Sequence, residues 1–330
     1  MDSFNLTQGD YVAQSERIGF LFPGQGAQYT GMGKDLYESD DAARKIYRRA
    51  DDSLGYSLSE ICFQGPEEKI TRTLYAQPAI FVTSYAVLCS LQNKFPDLKP
   101  AFSAGLSLGE FTALTVAGAL TFEEGLKLVA LRAEAMEEAA KNNPGTMASI
   151  LGFPQEECEA TVKEAGCQVA NLNSPEQFVI SGTVKSVEKA CALAEQRGAK
   201  RALRLKVGGA FHSALMLSAK TNLERALSKA SLKAPQGIFI PNASARPVSD
   251  PVEIKILLAK QLVSPVRWIE TMQRAFESGI SQYLEIGPGK VLKGLAKKCQ
   301  PSLTVWPCGT TEDLQKMDEL LKNPYNSRMG

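Results

Sequence analysis

Two glycines that bracket a serine, in Gly105-Leu106-Ser107-Leu108-Gly109, constrain this chain more than any other stretch. Ala101-Phe102-Ser103-Ala104 ahead of them reads as the end of a strand, and Glu110-Phe111-Thr112-Ala113-Leu114 behind them as a helix. Gly-x-Ser-x-Gly is the nucleophile-elbow pattern: the serine sits on a sharp strand-to-helix turn, and the glycines let strand and helix approach closely. Its hydroxyl is then exposed, with a helix N-terminus behind it to stabilise negative charge. Alone the motif is weak. With glycine at about 7% of residues, three fixed positions recur by chance in roughly one chain of this length in ten. A plain glycine-bracketed turn into a buried helix accounts for it equally well.

A count shifts the balance. The chain holds a single histidine, His212, so a histidine-assisted serine has one candidate base. It stands in Gly208-Gly209-Ala210-Phe211-His212-Ser213, where small residues bring the backbone close to a neighbour. Serine plus base is the minimum equipment for acyl transfer through a covalent ester. An unperturbed histidine titrates near about pH 6.5, which sets the expected acid limb of activity.

The remaining bounds are permissive. A length of 330 residues allows one large domain or two unequal ones. A net charge of +1 gives no global field to recruit nucleic acid or membrane. Seven scattered cysteines without a CxxC argue for reduced thiols in a cytoplasmic compartment and against a zinc site. Residues 1–16 lack the basic and apolar regions of a secretion signal and are expected to be a flexible lead. No uninterrupted apolar run suggests a membrane span.

Along the chain, Ile18-Gly19-Phe20-Leu21-Phe22 reads as a buried strand followed by the glycine-rich loop Gly24–Gly33. That loop fails both nucleotide fingerprints, since Tyr29 stands where a small residue is required and Asp35 follows Lys34. Backbone N–H groups facing a ligand remain, as in an oxyanion hole. Residues 35–60 look helical, and an apolar helix runs from Tyr75 through Leu91. Thr121-Phe122-Glu123-Glu124 is a capping box opening a helix on which Leu128, Leu131 and Arg132 share a face, Arg132 being either a charge placed there for a reason or a snorkelling surface arginine. From 143 to 210 the pattern becomes βαββαβ, the ferredoxin-like plan, inserted before the His212 segment. Within it, Asn171–Pro175 reads as a turn that either presents amides to a cleft or closes a hairpin. A helix is expected from His212 to about Ser231, then a strand–glycine turn–helix at Tyr283–Leu292, and a tail over 319–330.

Five stretches, FPGQGAQYTGMG, GLSLGE, LRAEAM, AFHSALM and LEIGPGKVL, agree in order and spacing with one family. The chain resembles the malonyl-CoA:acyl carrier protein transacylases of fatty acid and polyketide synthesis over about residues 17–310. The resemblance implies an α/β fold, a hydrolase-like parallel-sheet core (17–142 and 211–318) with the ferredoxin-like subdomain inserted. It implies Ser107 as nucleophile, His212 as base, and an oxyanion hole from the Gln25 and Leu108 amides. Arg132 would pair with the malonyl carboxylate, and Met136, Phe211 and Asn173 complete the expected substrate-binding set. A main-chain carbonyl near Val263–Ser264, in place of an acid, would orient the base. Leu106 departs from the family, which most often has histidine there, and leaves acyl selectivity open. The implied substrates are malonyl-CoA and holo-acyl carrier protein, with no bound cofactor or metal, no nucleic acid and no membrane; the sequence leaves the oligomeric state open, a monomer being one of the options.

Two other classes compete. An acyl hydrolase that edits carrier-bound thioesters gains nothing from a buried guanidinium, and the usual esterase order with histidine near the end is absent. A non-catalytic docking module has no use for both Ser107 and His212. Lys290, Lys293, Lys297 and Lys298 form a basic helix face, either a dock for an acidic carrier protein or merely a solvated surface.

Overall fold

The computed structural model of the chain describes residues 17–322. Nine strands order it: β1 (Ile18–Phe22), β2 (Phe102–Gly105), β3 (Thr146–Leu151), β4 (Gln168–Ser174), β5 (Gln177–Gly182), β6 (Arg201–Arg204), β7 (Ile238–Phe239), β8 (Gln282–Ile286) and β9 (Thr304–Cys308). The apolar run of β1 has no polar face and therefore needs cover on both sides. It lies at the centre of a five-stranded sheet, β7-β2-β1-β8-β9, paired in parallel throughout. Pro307 falls on β9, an edge strand where its missing N–H is tolerated.

Helix Thr73–Lys94 is apolar on all sides and runs through the main core. Among the described residues it is the one helix long and apolar enough to cross a membrane, but 78% of its apolar window is buried within the protein. That burial is what a helix without a polar face requires in a globular core.

The connection after β1 leads to β2 on one side, whereas the connection after β8 leads to β9 on the other. A parallel sheet opens a crevice at such a switch point, outside the carboxyl ends of its strands. The segments after β1, β2 and β8 all meet there, which places the glycine-rich loop, the elbow and the helix that begins at Val291 around one space.

The second sheet, β4-β5-β3-β6, is antiparallel and has the order and βαββαβ succession expected of the ferredoxin-like insert. Alternation divides its side chains. Ala148, Ile150, Phe178 and Ile180 pack with helices Gln155–Ala165 and Val184–Gln196, whereas Met147, Ser149, Gln177 and Val179 face the crevice. Leu172 N donates to Val266 O at 2.9 Å and Val266 N to Ala170 O at 2.8 Å, so the small sheet is stitched to the core beside the crevice.

Five local expectations change. The helix expected over 35–60 is three: Lys34–Ser39, Asp41–Leu54 and Leu58–Gln64. Asp40 caps the second with its side chain, and Gly55 ends it in a left-handed conformation. Asn171–Ser174 belongs to β4 and is not a turn. The segment after His212 is not helical at once: Ser213 is extended and caps a short 3-10 turn, Ala214–Met216, and the α-helix spans Leu217–Lys229. Leu131 is 39% exposed, because the buried stripe of its helix passes through Leu128, Val129, Arg132 and Met136. The capping box at Thr121 and Glu124 forms as expected. A further helix, Thr311–Lys322, crosses the expected tail boundary at 318. The expected lead over 1–16 and the tail beyond 322 lie outside the described residues.

Candidate active site

The elbow forms because nothing larger than hydrogen fits at its two glycines. A Cβ at Gly105 would lie 1.9 Å from the Gly109 carbonyl carbon, and one at Gly109 would lie 2.1 Å from Phe22 O. The serine between them takes φ 52°, a left-handed conformation rare outside glycine. Strain of this kind persists only where neighbours hold it. Asn242, from the turn after β7, does so: it accepts from Ser107 N at 2.7 Å and donates through Nδ2 to Gly105 O at 2.7 Å.

His212 also has a positive φ, 56°. Its Nε2 lies 2.8 Å from Ser107 Oγ, and its Nδ1 lies 2.8 Å from Gln261 O. A carbonyl only accepts, so Nδ1 carries the proton and Nε2 is left to accept from the serine hydroxyl. The orienting carbonyl at hydrogen-bond distance is that of Gln261, and a backbone interaction with Ser264 falls within the expected Val263–Ser264 stretch. Burial and then the nearby Arg132 charge push the imidazole down to about 4, against backbone bonds to Gln261 and Ser264. The expected titration near 6.5 is thereby corrected: the base stays neutral through the whole neutral range.

Arg132 is 1% exposed. Its Nη2 donates to Ser107 Oγ at 2.9 Å and to Gln261 Oε1 at 2.8 Å, and its Nη1 donates to Gln77 Oε1 at 2.6 Å. The guanidinium also lies 5.7 Å from the centre of the Phe111 ring, while Nε has no partner. Burial lowers its pKa to about 10, so it remains a cation at neutral pH.

These groups open on a cavity of about 450 Å³ at the switch point, roofed by the small sheet. Gln25, Met136, Phe211 and Asn173 line it with Ser107, Arg132 and His212. Leu108 is fully buried behind the serine. Ser107 N is committed to Asn242, whereas the Gln25 and Leu108 amides have no acceptor among the described residues. Asn173 presents its side chain from β4, and its Oδ1 is buried and unpartnered. Leu106 supplies apolar wall beside Ser107. Lys290, Lys293, Lys297 and Lys298 are exposed on helix Val291–Cys299 and the residue before it, and Val291, Leu292 and Leu295 of that helix line the cavity.

Gln77, Asn242 and Gln261 went unrecognised in the sequence. Each is a neutral amide whose part depends on what folds against it, and no local pattern marks it.

A strained serine between a histidine and a buried arginine, at the switch point of a parallel sheet, defines the class: an α/β acyltransferase. The chain belongs to the acyl transferase domain family, whose model matches residues 19–313. Among its relatives, the malonyl CoA-acyl carrier protein transacylase of Bacillus subtilis (strain 168) is 44% identical over 313 residues, covering 93% of this chain and 98% of that one. The crystal structure of acyl-carrier-protein-S-malonyltransferase from Bartonella henselae is 39% identical with a TM-score of 0.88, covering 93% of this chain and 99% of that one. A malonyl-transacylase solved in complex with its type II PKS acyl-carrier protein is 36% identical with a TM-score of 0.88, covering 92% and 99% of the two chains.

Proposed function

We propose that the protein moves the malonyl group of malonyl-CoA onto the phosphopantetheine thiol of holo-acyl carrier protein, through a malonyl ester on Ser107. The pathway is fatty acid synthesis or a polyketide line served by a discrete acyltransferase. The observation that carries the reading is Arg132, a buried cation whose Nη2 lies 2.9 Å from Ser107 Oγ. A carboxylate entering an apolar cavity loses its hydration and needs a charge-assisted pair in return.

In the first half-reaction Ser107 Oγ attacks the thioester carbon as its proton passes to His212 Nε2. The tetrahedral oxyanion is held by the Gln25 and Leu108 amides. Collapse breaks the C–S bond, and His212 returns the proton to the departing CoA sulfur. The carrier thiol then repeats the sequence in reverse. Gln261 O keeps Nδ1–H in place throughout, which is why no acid is needed to orient the base. Met136, Phe211 and Asn173 border the acyl and pantetheine portions. Every covalent and proton step is assigned to side chains and amides of this chain, so the reading calls for no cofactor. We place the enzyme in the cytoplasm, with residues 17–142 and 211–318 as core and 143–210 as subdomain.

Mass spectrometry of the intact protein after malonyl-CoA, with and without holo-carrier protein, tests the reading. A persistent adduct discharged by carrier thiol supports transfer. Rapid loss to water would support an editing hydrolase instead.

A further inference from the structure

Glu110 directly follows the elbow pentad and is fully buried, yet the transfer described above gives it no part. Its Oε2 accepts from Gln261 Nε2 at 2.5 Å and from Asn242 N at 3.1 Å, and its Oε1 has no partner. Gln261 is thus a junction. Its main-chain oxygen holds His212, its Oε1 accepts from Arg132, and its Nε2 donates both to Glu110 and to Ser107 O, the last at 2.9 Å. The amide can sit only one way round. Flipped, it would set N–H groups against the guanidinium and an oxygen against the carboxylate. Opposite charges at its two ends fix it, with Glu110 supplying the negative end.

Arg132 otherwise meets only neutral groups: Gln77, Ser107, the Gln261 oxygen and the Phe111 ring. Glu110 is the carboxylate that acts on its charge. The titratable groups around this cluster are Arg132 from helix Phe122–Asn142 and His212 from the segment after Gly209. Helices Thr73–Lys94 and Pro251–Gln261 contribute neutral Gln77 and Gln261, and the turn after β7 contributes neutral Asn242.

We propose that Glu110 is a positioning residue and the resting counter-charge of Arg132: it orients Gln261 in the free enzyme and takes up a solvent proton when a malonyl carboxylate occupies the guanidinium. The proposal rests on the malonyl reading above. Two carboxylates beside one buried cation would leave an uncompensated negative charge in a low-dielectric site, and a shared site of that kind protonates one of them. The directly paired malonyl group keeps its charge. Glu110 is poised to give way, because burial already pushes it up to about 7 against the opposing effects of Asn242, Gln261 and Arg132. His212, held down at about 4, is not the acceptor. The acylation itself is proton-neutral: the Ser107 proton leaves on the CoA sulfur as the O–C bond forms and the C–S bond breaks. Any net uptake is therefore additional and comes from solvent.

The test measures proton uptake with an indicator dye in weak buffer while near-stoichiometric enzyme is acylated, with adduct formation followed by mass spectrometry. At pH 8 malonyl-CoA should draw in roughly one proton per malonyl-serine, falling well below half at pH 6, where Glu110 is already largely protonated. Acetyl-CoA, which brings no carboxylate, should draw in none. In E110Q the malonyl uptake should vanish while the adduct still forms, more slowly. Full acylation of wild type without malonyl-specific uptake would overturn the proposal, and needs no variant to be read. Undiminished uptake in E110Q would overturn it too, by placing the proton elsewhere. Failure of wild type to form any malonyl adduct would instead refute the underlying transfer reading, and this proposal with it.

Discussion

Replacing Arg132 with alanine separates malonyl transfer from generic acyl transfer. The guanidinium is 1% exposed and makes three side-chain hydrogen bonds, to Gln77, Ser107 and Gln261. Truncating one partner of a buried charge pair costs about 2–5 kcal/mol, much of it from the charge left unpaired. At about 1.4 kcal/mol per decade, kcat/KM for malonyl-CoA should fall roughly 30-fold to a few thousand-fold. Acetyl-CoA has no carboxylate to pair and should react as well as before or better. The variant also loses donors to two buried amide oxygens, on Gln77 and Gln261, which lowers stability by about 1–3 kcal/mol for each acceptor left unsatisfied. A urea melt therefore accompanies the kinetics, so that rates are normalised to folded protein. A second signature is independent of binding. Arg132 is one of the two causes holding His212 down at about 4, so its removal should shift the acid limb of acetyl transfer upward. Equal losses with both thioesters and an unmoved acid limb would mean that Arg132 supports the fold alone.

Ser107→Ala should abolish the malonyl adduct on the intact protein, and an adduct of full stoichiometry mapped elsewhere would refute its assignment. His212→Ala should slow acylation by roughly 10² to 10⁴, the range for a lost general base. Because the wild-type imidazole is depressed, its basic form persists as pH falls and is lost only through about pH 4, so kcat/KM should show no histidine limb between pH 5 and 8. Activity toward acetyl-CoA that falls with decreasing pH about a midpoint near 6.5 would contradict that environment. Gly109→Ala sets a Cβ 2.1 Å from Phe22 O; overpacking of this kind costs typically about 1–3 kcal/mol, and an unchanged urea midpoint would show that strand and helix can part. Reversing the charge of Lys293 and Lys297 should raise KM for carrier protein at low salt while leaving KM for malonyl-CoA alone, and equal KM values for both proteins would place the dock elsewhere.

The elements legible in the sequence were those whose cause is local. The all-apolar β1, the Thr121–Glu124 capping box and the alternating strands of the small domain depend on residues a few positions apart, where periodicity and capping speak directly. So does the elbow, since Gly105 and Gly109 stand within four positions of each other. The failures have local causes as well, but weaker ones. Asp40 and Gly55 break the 35–60 stretch with ordinary cap chemistry inside a continuous apolar pattern. Leu131 sits at the margin of its helix's buried stripe, where spacing alone cannot say which flank meets solvent.

The sequence by itself determined that a serine was bracketed by the glycines a sharp turn needs, that one histidine was available to serve it, and that an arginine stood on the helix after the elbow helix. Only the tertiary structure decided that they meet. Ser107 and His212 are 105 positions apart, and Gln261 reaches back 154 positions to Ser107 O. It also decided that the base would be oriented by a backbone carbonyl and depressed to about 4, and that neutral amides would hold the arginine. Those properties follow from burial and from distances between remote segments, which exist only after the parallel sheet has brought its switch-point loops together.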